Sequence, residues 1–358
     1  MVVATLSYRY DGCNGGALSS VEALLKSTTR AKNRDRKAKA IPILGGSATE
    51  TAIEAILDHG RGWTRHEEAA PTYGDPDGTY VSLGDPTGKL KPVQETTAWN
   101  TVLALDDATA QTFLFLMARC LAEGPASEIR VHVNDLLAFR GIKRHGDGDY
   151  RRAQKVEERE RLLLLRQMWV AGRDVVEEKR GNTVRKKRVR LYSPLVEVQI
   201  EAEDKPGALE LPNLNLTTEV VPYAFRVSLG GWSKTYIGAE RYVRELLDRI
   251  VQYDPKRTIE RIALRVGLHL HFKPATLTSV QQLLDGGKIE MPVRNASRFR
   301  EAFESALFRL VDDGVLGGWS YAIEDDSLPA LGWAQKWLTW NIAIKPPNIA
   351  LQGSTTSL

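Results

Sequence analysis

Apolar residues along the chain predict one series of elements, and that series comes round twice. Asp106 or Asp107 can cap a helix that places Phe113, Leu116, Met117, Cys120 and Leu121 on one stripe and stops at Gly124–Pro125. EIRVHV (128–133) alternates as a short strand, and Asn134 caps a short helix that ends near Gly141. A long helix covers 150–170, after which DVVEEK and VRKKRVRLY read as strands around a Lys179-Arg180-Gly181-Asn182-Thr183 turn. In the second half, Ile259, Ile262, Ala263, Val266 and Leu270 mark a helix over 257–272, and Thr278 or Ser279 starts a short one. Asn295 or Ser297 then caps a helix with Phe299, Ala302, Phe303, Ala306, Leu307, Leu310 and Val311 on its apolar face. Gly314 stops it, and VLGGWSYAI and WLTWNIAI pair as two strands around a polar insert.

Helix, strand, short helix, turn, long helix and hairpin is the order of a winged helix, whose second short-turn helix enters a major groove. The fold class expected is therefore α+β, with two tandem winged-helix units over 99–195 and 256–346. Between them, over 196–255, strands EVQIEA and AFRVSLGGWSKTYI and an amphipathic helix around Tyr242, Leu246, Leu247 and Ile250 form an apolar connector that braces the units. Residues 1–98 are expected as a flexible Gly/Pro-rich arm, with one helix at 48–59 from Ala48, Ala52, Ile53, Ile56 and Leu57. Residues 347–358 are expected as a disordered tail.

Charge sharpens this picture. The chain's net charge is +4, yet residues 130–190 carry +9 and 256–311 carry +5, with −4 between them. Two basic blocks around an acidic one point to a polyanion contacted at two places. In the first unit Arg144, Arg151, Arg152, Lys155 and Arg159 gather at the start of the long helix, and Lys179, Arg180, Arg185, Lys186, Lys187 and Arg188 on the hairpin. Glu157, Glu158 and Glu160 offer the alternative of a solvated helix with internal ion pairs. In the second unit Lys273, Thr276, Arg294, Arg298 and Arg300 surround the start of the recognition helix. Its stripe turns Arg298, Glu301 and Ser305 outward, and Phe308 also leaves the apolar face.

Other chemistry finds little support. His269-Leu270-His271 has the His-hydrophobic-His form of a metal-dependent nickase, with Tyr236 or Tyr242 as nucleophile; on a helix the two histidines diverge by about 200°. Neither ILGGSATET nor VSLGGWSKT has the spacing of a phosphate-binding Walker loop, and Glu324-Asp325-Asp326 reads as a solvated loop. The expectation is a non-enzymatic protein with no cofactor and no metal. Only two cysteines, Cys13 and Cys120, and the lack of a signal sequence or of an apolar run near the roughly 18 residues of a membrane span imply a reducing cytoplasm.

Three passages, RGIKRHGDGDYRRAQ, AFRVSLGGWSKTYI and RNASRFREAFESALFRLVDDGVLGGWSY, carry a resemblance to plasmid replication initiators (Rep proteins) of the tandem winged-helix, iteron-binding type. It covers about 99–195 and 224–346 and leaves out the N-terminal arm. The resemblance implies site-specific binding to double-stranded DNA at origin repeats, local opening of the origin, and contacts with a host initiator and the replicative helicase. It also implies that the C-terminal unit reads the repeat through Arg294, Arg298 and Arg300, while the N-terminal unit grips backbone and forms a homodimer. The first unit is the more basic here, which departs from that division. A winged-helix transcriptional repressor is the alternative within DNA binding.

Overall fold

The segment expected to be an arm supplies much of the scaffold. The computed structural model describes residues 40–75, 77–124, 127–180, 183–201, 224–233, 242–322 and 332–347, with 92, 173–188, 242–245 and 247 as backbone only. The basic run 30–39, Cys13, Tyr236, Glu324–Asp326 and the tail beyond 347 lie outside these residues. Within 40–98 stand strand β1 (Ala40–Gly45), helix α1 (Ser47–Leu57), strands β2 (Trp63–His66), β3 (Ala69–Gly74) and β4 (Tyr80–Leu83), and helix α2, which starts at Pro92 and runs to Leu103. The α1 stripe was legible: Ala52, Ile53, Ile56 and Leu57 are all buried. The strands were not: β2, β3 and β4 are short neighbours that pair in a meander, and β1 and β4 find partners far along the chain in β10 and β6.

Helix α3 (Asp107–Glu123) is the centre of the core. Its residues from Asp107 to Ala118 are buried on every side, and the Asp106 carboxylate caps it from Thr109 N at 2.7 Å. Around it pack β1, α1, strand β5 (Ile129–His132), helix α4 (Val133–Phe139), helix α5 (Arg152–Gln167) and strand β9 (Ala224–Leu229). Helix α4 is capped by His132 rather than Asn134, whose backbone N–H donates to His132 Nδ1.

The long helix ends at Gln167, short of Val170, because Met168–Ala171 pair with Leu83–Tyr80 of β4. That pairing draws the hairpin, β6 (Met168–Arg180) and β7 (Thr183–Pro194), into a five-stranded sheet of order β2-β3-β4-β6-β7. Strand β9 lies between β5 and β8 (Val196–Glu201). The helix expected around Tyr242 is instead strand β10 (Tyr242–Leu247), antiparallel to β1, followed by the one-turn helix α6 (Asp248–Val251). Six residues of mixed polarity fit either period, and the partner strand two hundred residues earlier decides the outcome.

The second half runs α7 (Thr258–Phe272), β11 (Leu277–Ser279), α8 (Val280–Gly286), α9 (Ala296–Asp312), β12 (Gly318–Tyr321), α10 (Trp333–Leu338) and β13 (Asn341–Lys345). Ser279 caps α8 in a reciprocal box with Gln282. The sheet order is β11-β13-β12, so a third strand joins the expected pair. Trp337 falls in α10 and not on a strand, its ring buried edge-on against Phe303. The whole is a mixed α+β fold.

The halves are locked by polar contacts. Arg265 of α7, 5% exposed, donates from Nε to Asp107 Oδ1 at 2.6 Å and from its two terminal nitrogens to Lys288 O and His59 Nε2. His59 Nδ1–H in turn donates to Leu105 O at 3.0 Å, which fixes a neutral ring. Gln111 of α3 reaches Tyr253 O at 2.6 Å, and Lys273 reaches Glu54 of α1 at 2.6 Å.

Two outcomes follow from this lock. Asp107→Ala strands a buried guanidinium and should lower unfolding free energy by about 3–5 kcal/mol, read from urea denaturation. His59 is held below its ordinary value of 6.5, first by burial and then by Arg265. Below that value the unfolded chain therefore binds a proton that the native ring resists. Stability is full above pH 6.5 and falls as the pH drops. The melting temperature should decline between about pH 7.5 and about pH 5.5, and His59→Asn, suited to the positive φ of 50°, should flatten that decline.

Candidate nucleic-acid interface

Helix α9 owes its orientation to one buried face. Phe299, Phe303, Ala306, Leu307 and Leu310 are buried against α7 and the aromatic layer of Trp337, while Ser297, Arg298, Glu301, Ser305 and Phe308 are exposed. Asn295 takes a left-handed φ of 63° as the N-cap. The loop before it is open to solvent, with Val293 wholly exposed and Arg294 beside it. Neither Arg294 nor Arg298 has an ion-pair partner among the described residues.

Arg300 is half-buried. Its guanidinium pairs with Glu304 at 2.7 Å and lies 5.1 Å from the Trp340 ring centre and 5.8 Å from that of Tyr321. The arginine expected to read bases is thus already engaged in packing the helix against β12 and Trp340. Tyr321 OH adds a 2.8 Å bond to Glu304, and burial pushes that phenol far up. The sequence hid this because Tyr321 and Trp340 reach Arg300 only through the β12–β13 pairing.

Lys273 is likewise engaged, by Glu54. Thr276 is exposed, and its carbonyl accepts from Ile344 N at 2.9 Å.

The first unit shows more internal pairing than its charge suggests. In the loop before α5, Lys143 and Arg144 are exposed, and Arg144 donates to Gly148 O at 3.3 Å with its guanidinium 5.6 Å from the Tyr150 ring centre. Arg151 and Arg152 are exposed at the start of α5. Lys155 is bound to Asp149 at 2.5 Å, a bond that holds the Asp149 carboxyl below its ordinary value. Arg159 is buried and paired with Glu160, so it does not present its charge to a ligand.

Glu158, expected as a surface partner, is fully buried and accepts from Thr112 Oγ1, Arg140 and Arg161. Arg161 also grips Asp106 at 2.9 Å, with Arg161 foremost among the groups that hold the Asp106 carboxyl down against its burial.

On the hairpin, Glu178 stands opposite Arg185 in register, Glu177 opposite Lys186, Val176 opposite Lys187 and Val175 opposite Arg188. Lys179 and Arg180 close the turn opposite Val184 and Thr183. The side chains of these six basic residues lie outside the described ones. Lys143, exposed beside Arg144 in the same loop, was not singled out by the sequence reading.

His269 and His271 both lie on α7, which places them about 200° apart. The His269 ring occupies the space beside Gly286, where a Cβ would fall 2.2 Å from its Cε1, and burial with Lys273 lowers its pKa. His271 borders an apolar cavity of about 250 Å³ between Ile250, Leu270 and Ile344. The two rings thus cannot share a ligand, and no cluster of three His, Cys, Asp or Glu occurs among the described residues. No helix among the described residues is long and apolar enough to cross a membrane.

No family model matches the chain, and no curated protein matches it in sequence. Two crystal structures of domains 2 and 3 of RctB are similar to it in fold outline. One aligns at TM-score 0.41 and 12% identity over 84% of this chain and 100% of that chain. The other aligns at TM-score 0.41 and 10% identity over 81% and 96%. Likeness at this level is distant, and the function rests on the residues of this chain.

Proposed function

We propose that the protein is a non-enzymatic replication initiator that binds repeated sites in double-stranded DNA through two winged-helix units. The observation that carries the reading is the start of α9. Arg294 in the loop before it and Arg298 in its first turn stand exposed and without an ion-pair partner among the described residues, and the opposite face of the helix is packed. Unpaired guanidinium groups at the N-terminal end of such a helix suit guanine O6 and N7 in a major groove. The order α7, β11, α8, α9, β12, β13 supports a winged helix for this unit.

The first unit has the order α3, β5, α4, α5, β6, β7, and supplies Lys143, Arg144, Arg151, Arg152 and the basic hairpin as a grip on backbone phosphates. Arg294 and Arg298 read bases in this scheme, and Arg300 holds the helix that presents them. Origin opening, contacts with a host initiator and helicase, and dimer formation come from the Rep resemblance and belong to the same proposal, as does a cytoplasmic location. A repressor would use the same surfaces on a short palindrome. A nickase would need His269 and His271 on one metal, which helix α7 keeps apart.

Selection from random duplex DNA at about 150 mM salt should recover a long asymmetric site of roughly 15–22 base pairs. A short palindrome would favour the repressor, and no enrichment would defeat sequence reading altogether. Arg298→Ala should relax preference at one position by about 1–3 kcal/mol. Arg300→Ala should lower the melting temperature and leave the recovered motif unchanged. Lys186→Ala with Lys187→Ala should weaken binding to every sequence and flatten its salt dependence, measured by anisotropy against salt concentration.

A further inference from the structure

Helix α9 carries two carboxylates near its middle, and the fold treats them differently. Glu304 is consumed: Arg300 holds it at 2.7 Å and Tyr321 OH at 2.8 Å. Glu301 is exposed and has no ion-pair partner among the described residues, although Arg298 stands one turn before it. It lies in a row with Arg298, Ser305 and Phe308, and Phe308 is 59% exposed with its ring 5.1 Å from that of Trp319. At 100° per residue these four fall within an arc of about 80°, and from Arg298 to Phe308 they span about 15 Å of helix. That length faces roughly four base pairs at about 3.4 Å each.

A carboxylate in this row would meet phosphate repulsion unless a donor on a base edge receives it. In the major groove only two bases offer an amino donor. Adenine sets its N6 group beside the N7 acceptor, which repels a carboxylate, whereas cytosine presents N4–H₂ without an acceptor next to it. Arg298, three residues earlier, has the complementary preference for guanine O6 and N7. Asp312 closes the row at the C-terminal end of the helix, where a second exposed carboxylate and the negative end of the helix dipole keep phosphates away. Contact is thereby confined to the first three turns.

We infer that Glu301 is a specificity-determining residue, accepting a hydrogen bond from cytosine N4 in a base pair next to, or one removed from, the guanine read by Arg298. This rests on the proposal that α9 reads DNA and adds which base the helix demands and which it rejects. The carboxylate also lowers affinity for wrong sequences, since any other base leaves it facing acceptors and phosphates. Glu301 therefore works by exclusion as much as by attraction.

The test is site selection from random duplex DNA with the full-length protein and with Glu301→Gln and Glu301→Ala, each checked by its melting temperature. The expected wild-type motif holds a cytosine within two positions of a guanine whose preference Arg298→Ala abolishes. Glu301→Ala should lose the cytosine preference by roughly 5- to 150-fold while binding random DNA more tightly. Glu301→Gln should shift that one position towards adenine, whose N6 and N7 a carboxamide matches. A second measurement needs no variant: N4-methylcytosine at that position, its methyl replacing the major-groove hydrogen, should weaken wild-type binding by a similar factor.

A wild-type motif that both variants retain, or that tolerates N4-methylcytosine, overturns the assignment of Glu301 and leaves DNA reading by α9 intact. Failure of the wild-type protein to enrich any motif removes the DNA-reading proposal itself, and this inference with it.

Discussion

Arg265 must have every donor matched, because it is buried where three stretches of chain meet. Asp107 comes from the start of α3, His59 from the turn after α1, and Lys288 from the loop that leads towards α9. A buried ion pair adds little net stability over a well-packed apolar replacement, yet a misplaced docking would leave charge unpaired in the interior at a cost of several kcal/mol. The docking of the two halves seen here gives each of its three nitrogens a partner. The Gln111–Tyr253 and Lys273–Glu54 contacts and the β1–β10 pairing reinforce the same arrangement, so α5 and α9 belong to one frame.

The N-terminal segment is what makes that frame. Residues 40–98 looked too poor in apolar sequence to order themselves, yet they supply two helices and four strands. Their strands are short and incomplete: β1 needs β10, and β4 needs β6. Local pattern cannot reveal a strand whose stabilising partner lies elsewhere in the chain, whereas the α3 and α9 stripes are self-contained and could be read directly. The same limit explains Tyr242–Leu247, a strand by virtue of β1 and not of its own sequence.

Side-chain roles divide along a similar line. The outward positions of Arg298, Glu301 and Ser305 follow from helical geometry around a recognisable apolar face. Arg300 has the same charge two residues on, but its aromatic partners are Tyr321 at the end of β12 and Trp340 just before β13, and only the folded hairpin turns it into a packing residue. In α5 Glu160 was visible as a partner and takes up Arg159, whereas Lys155 is taken up by Asp149 of the preceding loop, which the sequence did not single out. Glu158 went the other way, into full burial, because Arg140 arrives from the end of α4 to receive it.

This pairing changes what the charge of +9 over 130–190 means. Lys155 and Arg159 answer acids already counted in that net figure, whereas Arg161 draws on the surplus through Asp106. The surplus lies in the exposed loop and start of α5 and in the sequence of the hairpin strands. In the proposed complex such charge attracts any duplex equally, since phosphates carry no sequence. Base reading instead needs few groups, held rigidly and left unpaired, and α9 supplies Arg298 beside a carboxylate that makes a wrong groove costly. The more basic unit is thus suited to hold DNA and the less basic one to read it, so the greater charge of the first unit does not conflict with a division of labour in which the second discriminates. In the proposed complex, a fixed frame between the two would let non-specific attraction by one present the groove to the other.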